Sequence, residues 1–371
     1  MKIAIIGTRG YPSYYGGFET AVRKLAPFLA DREHDVTVYG RRGGTKADDP
    51  TRDPRVRSIE TPGIESSALS TLSHGLTAVL HALVKRPDAV LVMNVANGYW
   101  LPLLRLARIR TVVNVDGIEW ERAKWSRLGK FVFRLGARLT ATHATVLVVD
   151  SVEIGKTWEQ LFGATTTFIP YGGEEVAELP LKDEFASGEY VLAVARFVPE
   201  NTIEEFFDAA ELIAAERPVV IVGSSGYGGP LDERAAALAE RHANVHWLGH
   251  VSDDPRLFAL WQHAGAYFHG HSVGGTNPAL VQAMMCGAPV VARDTKYSRE
   301  VLADSARFVK PVLHDIAEAL SEVAQSREAQ KALGSGARER ALKHYNWQGV
   351  CEAYETALLP GSAHDVVGNG P

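Results

Sequence analysis

The chain opens with MKIAIIGTRGYPSYYGGFET, residues 1–20. The apolar run KIAIIG predicts a buried β-strand, and the segment that follows Gly16-Gly17 has the apolar spacing of an amphipathic helix. A long loop that carries a proline and three tyrosines separates the two. Strand, glycine-bearing loop and helix in this order predict the first unit of an α/β fold with a parallel sheet.

The same alternation fills the first half of the chain and then restarts. The first series of strand patterns is KIAIIG, VTVYG, AVLVMN, TVVNV and TVLVV. After a link rich in proline, glycine and acids, from Pro170 to Gly188, the second series is YVLAVAR, PVVIVG, VHWLG, AYFHG and PVVAR. A chain of 371 residues also exceeds the size at which one hydrophobic core usually stops growing. We therefore predict an α/β protein with two Rossmann-like domains whose parallel sheets face a central cleft.

The boundaries follow from the link and from the composition of the C-terminus. We expect a first domain over 1–175, a second over 176–345, a C-terminal helix over 346–359 that crosses back to the first domain, and a disordered tail over 360–371. The last helical pattern reads as one segment, from about Ser335 to Leu359.

Composition narrows the class of protein. The hydrophobic fraction of 46% indicates a globular chain, and no apolar run approaches the roughly 18 residues of a membrane span. Only two cysteines occur and no leader pattern precedes the first strand, so we expect a cytoplasmic protein. The 13 histidines form no HExxH motif and no cysteine cluster accompanies them, so we expect no metal.

Charge is unevenly distributed. Residues 1–180 hold 23 Lys and Arg against 19 Asp and Glu, whereas the rest of the chain holds 16 against 25. This difference favours an anionic partner for the first half, although uneven charge without any function is the alternative.

Ligands of open parallel sheets bind beyond the carboxyl ends of the strands, so the loops there are candidates. Gly16 and Gly17 precede a helix, where main-chain N–H groups can bind an anion; glycine doublets before helices are also common without a ligand. In HGHSVGGTNPALVQAMMCG, residues 269–287, four small or polar residues precede Pro278: Gly274, Gly275, Thr276 and Asn277. They predict a phosphate site, with helix capping by Thr276 or Asn277 as the alternative.

Two further loops carry charged candidates. Arg196 ends a strand pattern and can hold a phosphate, unless it forms a surface ion pair with Glu200 or Glu204. Asp116 and Glu119 follow the strand pattern TVVNV and are candidates for acid–base chemistry or for helix capping.

These motifs in this order resemble a known family. GTRGYPSYYGGFET, VNVDGIEWERAKW, IPYGG, VARFVPEN and HSVGGTNPALVQAMMCG resemble the GT-B glycosyltransferases of family four, and more narrowly the rhamnosyltransferase-like branch, which includes bacterial β-1,4-rhamnosyltransferases that build surface polysaccharides. The resemblance covers the chain from Met1 to about Leu359. It implies a retaining, metal-independent hexosyltransferase without a cofactor, whose donor is a nucleoside diphosphate sugar, dTDP-L-rhamnose or a UDP-sugar. The acceptor would be a glycan or a lipid-diphosphate-linked molecule, and no nucleic acid is expected.

The resemblance also implies roles for individual residues. The catalytic set is Asp116, Arg196 and Glu200. The donor-binding set is Gly16, Gly17, Arg196, Asn201, Gly274, Gly275, Thr276, Asn277 and Gln282. The acceptor-side set is Tyr14, Tyr15, Glu119 and His271.

Four positions depart from the family pattern. The wider family has glutamates where Gly274 and Gln282 stand, and the second of these would bind the nucleotide ribose. Asn201 replaces a phosphate-binding lysine of the wider family, and Tyr11 replaces a small aliphatic residue. We therefore expect altered nucleotide binding at Gln282.

The segment 119–139, EWERAKWSRLGKFVFRLGARL, alternates cations with large apolar residues. Lys124, Arg127, Lys130, Arg134 and Arg138 recur at near-helical spacing, opposite Leu128, Phe131, Val132, Leu135 and Leu139. With Trp120 and Trp125, this pattern favours an anionic membrane surface, and with the lipid-linked acceptor that the resemblance implies, we expect peripheral association with the inner face of the cell membrane. The alternative is a helix whose apolar face packs on the sheet.

Three other functions fit parts of the pattern. A GT-B nucleotide-sugar epimerase shares the fold, and a non-catalytic nucleotide-sugar-binding subunit would explain Gln282. An NAD oxidoreductase is disfavoured because neither half has the compact glycine fingerprint with an acidic residue some 20 positions further on.

Overall fold

The computed structural model describes residues 1–14, 16–64, 70–121 and 126–361. The chain divides into two compact units. Unit 1 comprises Met1–Tyr171 and the C-terminal segment from Trp347, and unit 2 comprises Gly172–Asn346. Tyr15 and the predicted tail beyond residue 361 lie outside the described residues.

Unit 1 is a parallel sheet in the order β3-β2-β1-β4-β5-β6-β7, and helices connect all consecutive strands except β2 and β3. Its strands are β1 (Lys2–Ile6), β2 (Asp35–Arg41), β3 (Arg57–Thr61), β4 (Ala89–Met93), β5 (Arg110–Asn114), β6 (Val146–Val149) and β7 (Thr167–Phe168). Its helices are α1 (Gly17–Asp31), α2 (Ser70–Lys85), α3 (Leu101–Leu106), α4 (Arg127–His143) and α5 (Val152–Phe162). Short 3₁₀ helices span Val95–Trp100 and Glu119–Glu121.

Unit 2 repeats this plan with the strand order β10-β9-β8-β11-β12-β13, again all parallel. Its strands are β8 (Val191–Val194), β9 (Val219–Val222), β10 (Val245–Gly249), β11 (Ala266–His269), β12 (Val290–Arg293) and β13 (Arg307–Val309). Its helices are α6 (Ile203–Ile213), α7 (Pro230–Arg241), α8 (Asp254–Gln262), α9 (Pro278–Met285), α10 (Lys296–Leu302), α11 (Leu313–Gln325) and α12 (Arg327–His344). A 3₁₀ turn spans Pro199–Asn201.

The prediction of two parallel-sheet Rossmann-like domains is confirmed. All ten strands expected from apolar runs are present, because strands buried on both faces need continuous runs of residues such as AVLVM in β4, where every residue is buried. The pattern missed β3, β7 and β13, which lie at sheet edges and have few fully buried residues. Within the described residues, no helix is long and apolar enough to cross a bilayer.

The expected helical segment from Ser335 to Leu359 is two helices. Helix α12 ends at His344, and α13 (Trp347–Leu358) begins two residues after Tyr345. Between them, the carbonyl oxygen of Tyr345 accepts the Gly173 N–H at 2.6 Å, and Asn346 pairs with Gly173 in an isolated β-bridge. The break therefore depends on a contact that is remote in sequence. Helix α13 packs in unit 1, where Tyr354 and Leu358 join the core formed by α1 and the sheet.

Candidate functional site

The loop after β1 leads into α1 through the predicted glycine doublet. Helix α1 begins at Gly17, and no side chain among the described residues caps it at Gly16. The carboxylate of Glu19, buried in the first turn, accepts the Arg9 N–H at 3.0 Å and so ties the loop to the helix. The helix start keeps the geometry that can bind an anion through main-chain N–H groups.

Tyr14 lies on this loop and is 45% exposed. The Arg23 guanidinium lies 3.9 Å from the centre of its ring, and Lys46 Nζ lies 4.9 Å from it. Its hydroxyl forms a 3.3 Å hydrogen bond with Thr51 Oγ1. Tyr14 is thus an accessible aromatic ring held between two cations, and its acceptor-side role stays a prediction.

Tyr11, the departure from the family pattern, is a core residue. Its hydroxyl accepts the Asp53 N–H at 3.2 Å, and its carbonyl oxygen accepts the Ser58 hydroxyl at 2.6 Å. Burial raises the pKa of the Tyr11 phenol above its ordinary value. The hydroxyl and the main-chain carbonyl of Tyr11 therefore anchor the loop onto β3 and the segment before it.

Asp116 follows β5 in a left-handed conformation, with φ of 59°. Its N–H donates to Asn114 Oδ1 at 2.9 Å, and Asn114 Nδ2 donates in turn to the Tyr354 hydroxyl at 2.5 Å. The position of Asp116 is therefore supported from α13, which the sequence pattern did not indicate. Non-glycine residues seldom adopt this conformation outside functional or tightly constrained sites.

Glu119 is only 4% exposed. It begins the 3₁₀ turn, and the neighbouring Trp120 packs edge-on against Trp158 and Phe162 with ring centres 6.0 and 5.8 Å apart. A contact between Glu119 and an acceptor stays a prediction, and its burial means that such a contact needs a path into the protein.

In unit 2, β8 and β11 are adjacent strands. On one side of this pair the strand order continues with β9 and β10, and on the other side with β12 and β13, so the winding of the sheet reverses there. Ligands of doubly wound sheets bind at such a point, beyond the carboxyl ends of the strands. The loops after these strands are joined there: the Ser272 N–H and hydroxyl both donate to the Glu200 carbonyl oxygen, at 2.9 and 2.8 Å. The Thr202 hydroxyl donates to Gly270 O at 2.5 Å. The structure thus joins the loops that carry two separate motifs.

Thr202 is a site residue that the sequence did not indicate. This β-branched residue is fully buried with φ of 56°, and its hydroxyl also accepts a hydrogen bond from Arg293 at 2.8 Å. The two bonds offset the cost of a conformation that β-branched residues rarely adopt. Nothing in the segment ENTI marks Thr202, since its partners come from distant strands.

Arg196 lies exposed at this point of unit 2. In the described part of the chain, its guanidinium forms no ion pair, so the alternative pairs with Glu200 and Glu204 are not found. Its carbonyl oxygen accepts the amide of buried Asn201 at 2.9 Å. The Asn201 side chain therefore shapes the loop from within, while Arg196 presents its charge to solvent.

The His271 ring stacks on His269, with ring centres 4.4 Å apart and planes 8° apart. Its Nδ1 is buried and has no hydrogen-bond partner among the described residues. Burial, with a contribution from the Arg196 charge, lowers the pKa of His271 to about 4. Burial and the neighbouring His271 hold the pKa of His269 well below its ordinary value. Both rings are therefore neutral at physiological pH.

The loop before α9 combines a turn and a cap. Gly274 has φ of 106°, with no atom within 4 Å of where a Cβ would lie, so conformation and not space selects glycine there. Asn277 Oδ1 accepts the N–H groups of Ala279 and Leu280, and Pro278 occupies the first helical turn. The capping alternative is thus realised for Asn277. Thr276 and Gly275 precede this cap, with Thr276 almost fully buried.

The Gln282 side chain forms hydrogen bonds with another segment of unit 2. Oε1 accepts the Glu174 N–H, and Nε2 donates to the Glu174 carbonyl oxygen, both at 2.9 Å. Nε2 also lies 3.8 Å from Cys286 Sγ. The amide therefore fixes the main chain at Glu174, a role that requires one donor and one acceptor.

The described ranges contain no group of three or more metal-ligating side chains. The candidates of unit 2 lie on the loops after β8 and β11, except Gln282, which lies on α9. Gly16, Tyr14, Asp116 and Glu119 belong to unit 1.

Two family models match the chain. Residues 181–340 match the family described as glycosyl transferases group 1, and residues 1–174 match a domain of unknown function, DUF1972. The chain is also 26% identical, over 383 residues, to a phosphatidyl-myo-inositol mannosyltransferase of Mycolicibacterium smegmatis, with 95% of this chain and 93% of that protein covered. It is 24% identical over 195 residues to O-antigen chain mannosyltransferase B of Escherichia coli, covering 50% and 49% of the two chains.

Solved structures share the fold. Sucrose-phosphate synthase from Thermosynechococcus elongatus superimposes with a TM-score of 0.78 at 19% identity, covering 95% of this chain and 97% of that one. Anabaena HepE in complex with UDP and glucose gives 0.74 at 18% identity, covering 96% and 99%. The fold, the group 1 domain and the mannosyltransferase relatives together support the assignment of this chain as a GT-B glycosyltransferase.

Proposed function

We propose that this chain transfers a hexose, L-rhamnose or a related sugar, from a dTDP- or UDP-linked donor to a glycan or lipid-diphosphate-linked acceptor during surface polysaccharide synthesis. The reaction retains the anomeric configuration and needs no metal. One observation carries the proposal: the exposed Arg196, without an ion pair in the described chain, follows β8, and His271, with its buried Nδ1, follows the adjacent strand β11, at the point where the unit 2 sheet changes direction.

This arrangement suits a leaving diphosphate. When the bond between the anomeric carbon and the phosphate oxygen breaks, its electron pair passes to the diphosphate, and Arg196 stabilises that charge. Because His271 is neutral, one ring nitrogen can donate a hydrogen bond while the other accepts one. Asn277 Oδ1 already accepts the N–H groups of Ala279 and Leu280, so these two are not further donors to the diphosphate.

The acceptor oxygen then bonds to the anomeric carbon, and its proton passes to the leaving phosphate oxygen on the same face. No protein nucleophile is needed in this sequence of events. We assign Asp116 to the acceptor or to the reacting sugar, because the hydrogen bond to Asn114 holds it in a rare conformation. Tyr14 and Glu119 are assigned to the acceptor side. The relatives are named for mannosyl transfer and HepE for its complex with UDP, which supports a nucleotide-sugar donor.

The protein is proposed to act in the cytoplasm, where its two buried cysteines stay reduced. Calorimetric titration with UDP, dTDP and GDP, followed by transfer assays with their sugar conjugates, tests the function. Tight binding of one nucleotide with sugar transfer supports the proposal. Binding without transfer to any acceptor would instead support a non-catalytic subunit, and an epimerised nucleotide sugar formed without acceptor would support an epimerase.

A further inference from the structure

Helix α4 of unit 1 packs through small residues. Gly136, Ala137 and Thr140 are buried, and they face the 3₁₀ helix Val95–Trp100. A Cβ at Gly136 would lie 2.8 Å from the Val95 carbonyl oxygen, and a Cβ at Gly98 would lie 2.2 Å from the Gly136 carbonyl oxygen. The two main chains therefore approach closely, and this side of the helix has no room for larger side chains.

The large apolar residues of α4 point to solvent. Leu128 is 72% exposed, Phe131 64% and Leu135 39%. Their spacing of three and four residues places them on one stripe of the helix. The alternative in which this apolar face packs on the sheet is therefore wrong for these three residues.

A cationic stripe runs beside the apolar one. Arg127, Lys130, Arg134 and Arg138 repeat at spacings of three and four residues, and α4 contains no aspartate or glutamate. At 100° per residue, the cations fall between the apolar stripe and the buried face, adjacent to the apolar residues and not opposite them. We name the two stripes together the α4 surface.

Of the remaining segment, Trp120 is buried against Trp158 and is not available to a membrane. Lys124 and Trp125 lie outside the described residues. The surface is thus limited to α4 itself.

We propose that the α4 surface docks on an anionic lipid bilayer, with Phe131 and Leu135 below the head groups and the cations against lipid phosphates. The net positive charge of α4 favours an anionic bilayer over other partners. Exposed apolar and cationic stripes on one side of a helix are typical of helices that lie in the membrane interface. A second copy of this chain fits less well, because a symmetric pairing would bring two cationic stripes together with no acid on α4 to balance them.

Sedimentation with vesicles tests the proposal, using equal parts of phosphatidylglycerol and phosphatidylcholine, and phosphatidylcholine alone. We expect binding to the anionic vesicles in about 0.05 M salt and its loss in about 0.5 M salt, because the cations are screened. Binding to phosphatidylcholine alone should be weak under both conditions. Failure to bind the anionic vesicles at low salt, with the full chain folded, would overturn the proposal.

Two variants separate the stripes. Lys130→Glu changes the charge by two units and should weaken binding about 25-fold, at roughly fivefold per charge. Phe131→Ser should weaken it about tenfold while leaving the salt dependence intact. Both side chains are outside the core, so the variants should unfold like the wild-type chain.

Matched controls are Lys331→Glu on α12 and Leu212→Ser on α6, both at exposed positions of unit 2. They should leave vesicle binding unchanged, and an equal loss in the controls would contradict a specific surface. Sedimentation equilibrium tests the alternative, in which the α4 surface mediates self-association. A wild-type dimer that Phe131→Ser dissociates would assign the stripe to self-association and overturn the proposal.

Discussion

The carboxamide of Gln282 and the main chain of Glu174, 108 residues apart, form a reciprocal pair of hydrogen bonds, both 2.9 Å long. The pair holds the segment that enters unit 2 against α9. At the neighbouring residue, Gly173 N–H donates to Tyr345 O. Gln282, which stands where the wider family has a glutamate, therefore uses its carboxamide to bind the main chain of its own unit.

We expect Q282E to lower the free energy of unfolding by about 1–2 kcal/mol. A carboxylate can still accept the Glu174 N–H, but it cannot donate to the Glu174 carbonyl and places two acceptors face to face. Urea unfolding measures the loss. The same exchange at exposed Gln160 on α5 is the control and should change little.

The same variant tests the ribose contact. If Gln282 serves the main chain alone, Q282E should not bind UDP more tightly than the wild-type chain does. Calorimetry that shows a clear gain in UDP affinity for Q282E would mean that the side chain reaches the nucleotide.

Arg196→Ala should lower kcat/KM for the nucleotide sugar about 100-fold, because a charge on the leaving diphosphate loses its partner. Stability should be unchanged, since the guanidinium is exposed and forms no ion pair in the described chain. Steady-state transfer assays measure the effect, with Arg307→Ala at an exposed position of β13 as the control. Full activity of Arg196→Ala would refute its assignment.

Asp116→Asn should lower kcat about 100-fold or more while preserving the fold. Asparagine tolerates the left-handed conformation, and the hydrogen bond to Asn114 Oδ1 uses the main-chain N–H of residue 116. The variant therefore removes the charge of the carboxylate and keeps the hydrogen bond from the main-chain N–H. Circular dichroism and transfer assays on the same preparation check both expectations, and unimpaired transfer would exclude the carboxylate from the reaction.

The core strands and the strand-end loops could be predicted because both are local in sequence. A strand such as β4 has a continuous apolar run, and the loop around Gly274 has a glycine pair followed by Pro278. The edge strand β13 has no such run, because only Val309 is fully buried. Local patterns therefore locate the loops of the candidate site and miss three of the four edge strands, β3, β7 and β13.

Contacts between distant residues could not be predicted. Asn114 and Tyr354 are 240 residues apart, and only the folded chain shows that α13 supports the residue before Asp116. The break after α12 has the same origin, since the bond between Gly173 and Tyr345 interrupts a helical pattern that contains no proline. The exposed face of α4 is a further case, because the apolar spacing fits burial and exposure equally well.

The pKa of His271 predicts how stability depends on pH. Folding lowers this pKa from 6.5 to about 4, chiefly through burial, so the unfolded chain binds the proton more readily. Above pH 6.5 the ring is neutral in both the folded and the unfolded chain, so protonation does not lower the free energy of unfolding. As the pH falls toward 4, the unfolded chain takes up the proton first and the free energy of unfolding falls. Between about pH 7.5 and about pH 5, His271→Asn should therefore lose about 1–2 kcal/mol less unfolding free energy than the wild-type chain. Urea unfolding at both pH values measures this difference, and His250→Asn at an exposed position should behave like wild type. Equal losses in all three chains would mean that His271 is not held neutral, and its role beside Arg196 would then be that of a cation.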